Sequence, residues 1–332
     1  MDLGSPIVLL NFNIIMFINM FDIKEAAQKL KDGSLVAFPT ETVYGLGADA
    51  TNQESVARIF EIKNRPKNHP LIVHLSSIDQ LPDWAINISK YAKELANAFW
   101  PGPMTLILKR NNIAQDFITG GQETVGIRIP NHKIALFLLE EFRKIGSGAI
   151  AAPSANKFGK VSPTSFEHVK SEIGKDLSQD DLILDGGNSL VGIESTIIDC
   201  TGSKPCILRP GAVTTSMIEN VTKIEVQADT NCYSKKFSGN FKSHYAPKAR
   251  IVLGAPAMPG DGFLALNVIK TPAGVIRLAA PINAEDFAAC LYSAFRLADL
   301  KALTKVIVIP PRGEGIEKAI FDRIIKASGQ YT

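Results

Sequence analysis

The sequence predicts an α/β protein in two parts, an open sheet with helices followed by a smaller α/β domain. Three observations carry this. Short apolar runs of strand length alternate with stretches whose apolar residues recur at helical spacing. A chain of 332 residues is long enough for two domains. After about residue 222 the composition changes, and residues 230–247 are polar, carrying Lys235, Lys236, Gly239, Asn240 and Lys242 without apolar periodicity, as in a linker.

Taken in order, Asp22 and Glu25 form a candidate capping box, Ile23, Ala26, Ala27 and Leu30 line one helical face, and Gly33 ends that helix. Ser34 to Phe38 reads as a buried strand that runs into a polar turn carrying Thr40, Glu41, Thr42 and Tyr44, with Gly45 and Gly47 behind it. Val56, Ile59 and Phe60 mark a helix ending near Lys63. Leu71–Leu75 is a strand. Tyr91, Leu95, Ala98 and Phe99 share a helical face that Trp100-Pro-Gly-Pro terminates. Strands follow at Thr105–Leu108 and Val125–Ile129, a helix at Ile134–Ile145, a strand at Ala149–Ala152 and a helix at Phe166–Ile173. Three short strands close the first part, at Leu182–Leu184, Thr196–Asp199 and Cys206–Leu208. In the second part, strands are expected at Ile251–Leu253, Phe263–Leu266, Val275–Leu278 and Val306–Ile309, with helices at Ala284–Leu300 and Ile316–Ala327.

Composition narrows the function. The chain is 45% hydrophobic and 21% charged, as in a soluble globular protein. A net charge of +3 is too small for wholesale nucleic-acid binding, so any anion site must be a local cluster. The four cysteines form no C-x-x-C pair, which argues against structural zinc and a disulfide framework and suits a reducing, cytoplasmic setting. Residues 7–20 are apolar but broken by Asn11, Asn13 and Asn19, too short for a membrane span and without a basic leader. Residues 1–21 are therefore expected to be an extension, with translation starting at Met16 or Met20.

The polar residues at the strand ends carry the chemistry. Lys63-Asn-Arg-Pro-Lys67 sits at a helix end, where lysines are favourable in any case, but Pro66 holds the Arg65 backbone extended, as suits a side chain aimed at a phosphate. Arg128 lies inside an apolar strand, where it needs a partner. It is either in an ion pair with a core carboxylate such as Glu194 or Asp185, or a clamp for a substrate carboxylate. Pro153-Ser-Ala-Asn156, Ser162-Pro-Thr164, Gly186-Gly187, Glu194-Ser-Thr196 and Arg209-Pro-Gly211 repeat one theme of small, hydroxylated or guanidinium groups where strands end, which makes a plausible anion-lined cleft. His74 is either a satisfied core histidine or a polar contact in that cleft. There is no metal-ligand spacing among the histidines, and no serine-hydrolase, Walker A or dinucleotide fingerprint.

The segments FPTETVYGLGADA, KNRPKNHPLIVH, FWPGPMTLIL, GIRIP, APSAN with SPT after it, GGNSLVGIESTIID, LRPGA and SHYAPKARI together resemble the threonylcarbamoyl-AMP synthase family in its longer, two-domain form. The resemblance is strong over about residues 22–250 and continues in layout beyond. It implies a twisted open mixed sheet of the YrdC type over residues 22–222, a linker over 223–249 that folds across the cleft, and a small Rossmann-like domain over 250–332. It implies that L-threonine, bicarbonate or carbon dioxide, and ATP with Mg2+ become threonylcarbamoyl-adenylate and pyrophosphate. A separate tRNA threonylcarbamoyl transferase would use the product, with at most weak tRNA contact and no membrane. By the same match, Thr42, His74, Arg128, Ala152 and Ser195 would contact threonine. Lys63, Arg65, His69, Thr124, Ser154, Asn156, Ser162, Arg209 and Tyr245 would face the nucleotide, with Lys63 and Arg65 neutralising its phosphates. Two other readings are an RNA-binding module on the same basic concavity and a carbamoyltransferase maturation factor. The second is disfavoured by the missing C-x-x-C motifs.

Overall fold

The structure, a computed structural model, describes residues 22–227 and 245–329. The expected extension over 1–21 and most of the expected linker lie outside these residues. The first domain runs α1 (22–31), β1 (Val36–Phe38), β2 (Gly45–Asp49), α2 (Gln53–Lys63), β3 (Ile72–Leu75), α3 (Leu81–Trp84), β4 (Ala85–Ile86), α4 (Lys90–Phe99) and β5 (Met104–Arg110). It continues with α5 (Asp116–Thr119), β6 (Thr124–Arg128), α6 (Lys133–Ile145), β7 (Ala149–Ala151), α7 (Phe166–Ile173), β8 (Leu182–Ile183), β9 (Thr196–Asp199), β10 (Cys206–Arg209) and α8 (Thr215–Thr222). The second domain adds β11 (Arg250–Leu253), β12 (Gly262–Leu264), β13 (Ile276–Ala279), α9 (Ala284–Leu300), β14 (Lys305–Val308) and α10 (Ile316–Ser328).

Strands of the first domain form one open mixed sheet in the order β10-β9-β5-β6-β3-β7-β2-β1-β8, with β4 on β5. β3 with β6, β5 with β9 and β1 with β8 are parallel, and the other pairs are antiparallel. The second domain has a fully parallel sheet, β11-β14-β12-β13. Helix starts follow local chemistry. The side chains of Asn52, Ser89, Ser165, Thr214 and Asn283 each accept from a backbone N–H in the first turn of the helix they precede. α2 ends on Asn64 in the left-handed conformation.

Five elements have no counterpart in the sequence reading: β2, α3, β4, α5 and α8. β2 directly follows the polar turn and holds both Gly45 and Gly47. Gly47 is there for close approach: a Cβ on it would lie 2.6 Å from Ile150 Cγ2 and 2.9 Å from the Phe38 ring, so no side chain fits between β1 and β7. Cys206 is disulfide-bonded, whereas Cys200 and Cys290 are free. Absence of C-x-x-C excludes only local pairs, and a disulfide depends on distance in space.

The domains share a core. Val43, Val161 and Ile193 of the first pack with Tyr245, Phe287, Tyr292 and Ile324 at the joint. Gly192 (φ +74°) makes this possible, because a Cβ on it would meet Ala289 Cα at 2.4 Å and Ala288 O at 2.6 Å, so α9 lies directly on the backbone of this loop.

Candidate active site

Ends of several strands of the large sheet meet around one cavity. Thr40, Thr42, Tyr44 and Gly45 enter from the β1–β2 connection, and Arg65 from the segment after α2. His74 and Arg128 come from β3 and β6, and Ala152 to Ser154 follow β7. Glu194 and Ser195 precede β9, Arg209 ends β10, and Tyr245 covers one side. Their convergence follows from the mixed topology. Parallel β3 and β6 put His74 and Arg128 in register, while antiparallel β7 brings its C-terminal end to the same region from the other direction.

The threonine hydroxyls are organised locally. Thr40 Oγ1 donates to Val43 O at 2.6 Å, accepts from the Thr42 and Val43 amides at 3.2 Å and lies 2.9 Å from Thr42 Oγ1. Tyr44 donates to Gly187 O at 2.7 Å and accepts from Gly186 N at 3.1 Å, tying this turn to the 186–195 loop. Ser195 Oγ is 2.8 Å from Thr105 Oγ1. Arg209 donates from Nε to Ser195 O at 3.0 Å and from Nη2 to Ser195 Oγ at 3.1 Å.

Electrostatics are set by burial. Arg65 donates to Pro70 O at 2.9 Å, and burial lowers it to about 10, with the nearby Arg209 charge acting the same way. His74 is pushed down to about 3, first by burial and then by the Arg128 charge beside it. It is therefore neutral at pH 7. Its Nδ1 lies 3.2 Å from Ile72 O, a pure acceptor, so Nδ1 carries the proton and Nε2 presents a lone pair. Arg128 forms an ion pair with Glu41 at 2.7 Å and donates from Nε to Gly102 O at 3.3 Å. The expected carboxylate partners, Glu194 and Asp185, are not those used. The β1–β2 turn delivers Glu41 to Arg128 instead, while Glu194 is taken by Arg323 at 2.8 Å.

Among the sequence-predicted residues, Thr42, Arg65, His74, Arg128, Ala152, Ser154, Ser195, Arg209 and Tyr245 line the cavity. Lys63, His69, Thr124, Asn156 and Ser162 are not part of that lining. Lys63 is buried at the end of α2 beneath the turn after β7, and its Nζ donates to Ser154 O at 2.5 Å and to Asn156 O. Burial, then the Arg65 charge, pull it well below the usual lysine range. Asn156 Nδ2 donates to Lys157 O and Lys160 O, both at 2.8 Å, closing the same turn. His69 packs against the Phe158 ring. Thr124 pairs with Lys109 at the start of β6, four residues or roughly 13 Å along the strand from Arg128. Ser162 is buried, and its Oγ donates to Glu194 Oε1 at 2.6 Å.

The family described as Telomere recombination matches residues 28–211, and the one described as Threonylcarbamoyl-AMP synthase, C-terminal domain, matches residues 213–329. The chain is 38% identical to the threonylcarbamoyl-AMP synthase of Bacillus subtilis, covering 92% of this chain and 93% of that one. It is 44% identical over 246 residues to that of Pyrococcus abyssi, covering 73% of this chain and 70% of the relative. The crystal structure of P. abyssi Sua5 complexed with L-threonine superposes with a TM-score of 0.82 at 37% identity, over 93% of this chain and 95% of that one. This chain belongs to the threonylcarbamoyl-AMP synthase family.

Membership leaves some residues of the site that sequence reading missed. Glu41 was seen only as part of a polar turn, and nothing in its spacing to Arg128 marks the pair. Arg323 and Tyr292 lie in helices that read as ordinary amphipathic faces, yet Arg323 is fully buried (0% exposed) and both side chains bond to Glu194 on the cavity wall. An arginine in the middle of an apolar helical stripe was the available signal for Arg323.

Proposed function

We propose that this chain joins L-threonine, bicarbonate or carbon dioxide, and ATP into threonylcarbamoyl-adenylate with release of pyrophosphate. A separate transferase would then place the threonylcarbamoyl group on adenosine beside the anticodon of certain tRNAs. The observation that supports it best is the meeting of three buried guanidinium groups, Arg65, Arg128 and Arg209, with Thr42, His74 and Ser195 around one cavity. No nucleophile is needed. Threonine's neutral amine attacks carbon dioxide and loses a proton to give a carbamate, and a carbamate oxygen then attacks the α-phosphorus of ATP and expels pyrophosphate. The work of the protein is to hold three anionic groups together and to stabilise charge at the transferring phosphorus.

In this reading Arg128 takes the threonine carboxylate, and Thr42, Ala152 and Ser195 complete the threonine subsite. Neutral His74 offers its Nε2 lone pair to the amine or hydroxyl without adding a second cation beside Arg128. Arg65 and Arg209 face the phosphates, with Ser154 and Tyr245 along the nucleotide. Lys63 supports the Ser154–Asn156 turn from behind. Among the described residues no group of three His, Cys, Asp or Glu side chains could hold a metal ion; Mg2+ is proposed to enter bound to the nucleotide phosphates, and no step here is assigned to it. The RNA-binding alternative gains no support, because these arginines are buried around one cavity and do not form an exposed basic face. Among the described residues no helix is long and apolar enough to cross a membrane.

The test is pyrophosphate release by the purified chain. Release requiring both threonine and bicarbonate is expected. Release indifferent to either, or none at all, refutes the proposal.

A further inference from the structure

The second domain supplies no strand or helix residue to the cavity lining, yet its most deeply buried charge is aimed at the cavity wall. Arg323, on α10, donates from Nε to Glu194 Oε2 at 2.8 Å and from Nη2 to Glu194 O at 3.4 Å and Pro210 O at 3.0 Å. From α9, Tyr292 donates its hydroxyl to the same carboxylate, 2.9 Å from Oε2 and 3.2 Å from Oε1. Ser162 supplies a further donor. The guanidinium also stands over the Tyr245 ring at 5.4 Å, and Tyr245 stacks on Tyr292 at 5.7 Å. Glu194 and Tyr245 line the cavity; Arg323 and Tyr292 stand behind them.

The charges explain why such a support matters. Glu194 lies within the field of two arginines, Arg323 from the second domain and Arg209 from the cavity. Both guanidinium groups are buried, so a carboxylate between them interacts strongly with each. Each contact with Arg323 and Tyr292 turns Glu194 toward the second domain. Arg209 lines the same cavity and bonds to Ser195, the next residue along from Glu194; with those donors taken away, its charge would be shared between that carboxylate and the nucleotide phosphates.

We propose that Arg323, assisted by Tyr292, is a positioning residue for the synthase reaction: by holding the Glu194 carboxylate and the Tyr245 ring, the docked second domain keeps Arg209 available to the nucleotide. The inference rests on the function proposed above. Arg323 touches no substrate; it acts through Glu194 and Tyr245.

Arg323→Met in the full chain tests this, since it keeps most of the side-chain volume and removes the charge and the donors. KM for ATP and kcat are read from pyrophosphate release, and ATP affinity from calorimetry. The expected result is at least a tenfold rise in KM for ATP with a smaller change in kcat. Adding Glu194→Gln to Arg323→Met should recover most of the ATP affinity, because a neutral amide no longer competes for Arg209. A purely structural role for Arg323 would not produce that recovery. Should Arg323→Met fail to fold, Tyr292→Phe, which deletes one hydroxyl, is expected to raise KM for ATP about threefold. Normal ATP affinity in a folded Arg323→Met or Tyr292→Phe protein overturns the inference, as does failure of Glu194→Gln to restore it. If the unaltered chain neither turns over nor binds ATP, the proposed function itself has failed, and this inference with it.

Discussion

Arg128 with Glu41 and Arg323 with Glu194 are both arginine–glutamate pairs in the interior, at 2.7 and 2.8 Å, and all four residues are buried. Their surroundings differ. Glu194 accepts hydrogen bonds from Arg323, Tyr292 and Ser162, and although burial works to raise it, the Arg323 and Arg209 charges and these donors hold it at about 2. Around Glu41, neither carboxylate oxygen has a hydrogen-bond partner of good geometry, and Arg128 Nη2 has none either. A buried ion pair offsets its desolvation only when its remaining donors and acceptors are also met. The pair at the domain joint meets that condition and supports the fold. The pair at the cavity does not, and it stands where a substrate carboxylate could complete it. The difference separates a carboxylate held in place by the docked second domain from an ion pair left open to a ligand.

Acid should undo the two regions in different windows, and this is the largest effect expected. The folded-state value of His74, about 3, lies below the usual 6.5, so the unfolded chain takes up that proton first. The contribution is complete above pH 6.5 and lost as pH falls toward 3, at most about 5 kcal/mol. His168, lowered to about 4 by burial and the Arg296 charge, shares that window. Glu194 contributes fully above its ordinary 4.5 and loses its share between 4.5 and 2, at most about 3 kcal/mol. Urea midpoints from pH 7.5 to 4 should fall less steeply for His74→Gln than for the unaltered chain; equal slopes would contradict the assignment.

Glu194→Ala should cost up to about 3–5 kcal/mol, since it takes from the fully buried Arg323 one of its two carboxylate partners and leaves only Asp322. Glu41→Ala should cost clearly less, because Arg128 lines a cavity that water can enter. Equal losses in urea unfolding would erase the distinction between the pairs. Arg128→Ala should weaken threonine binding by about 1.5–3 kcal/mol, roughly 10- to 150-fold in Kd by calorimetry. Unchanged affinity would remove the clamp role. The smallest effect is that of Ser162→Ala, which takes one of the donors from Glu194 and should cost about 1 kcal/mol in the same unfolding assay.

Much of this was legible before any coordinates. The alternation of strands and helices places most elements within a residue or two, the short α3, β4 and α5 excepted, because burial on one face imposes a period on the sequence and elements of two to four residues are too short to show one. β2 escaped because Gly45 and Gly47 carry no side chain to show a period, and their reason for being glycine lies across the sheet in Phe38, Ile150 and Ala152. α8 escaped because only Ile218 and Thr222 of its residues are buried, too few to show a stripe. The polar residues at strand ends pointed to a shared cavity, and Arg65, Arg128 and Arg209 do share one. The basic run after α2 did not reveal that Lys63 turns inward to carbonyl oxygens while Arg65, two residues on, reaches the cavity wall.

The sequence by itself determined which segments are strands and helices, where their polar ends lie and which family they belong to, since each follows from local spacing or from motifs in fixed order. Only the tertiary structure decided which charges meet. Arg323 reaches Glu194 across 129 positions of chain, and Glu41 rather than Glu194 reaches Arg128. Periodicity records that a residue is buried; its partner is chosen by how the sheet orders its strands and how the second domain docks, and neither leaves a mark at the residue itself.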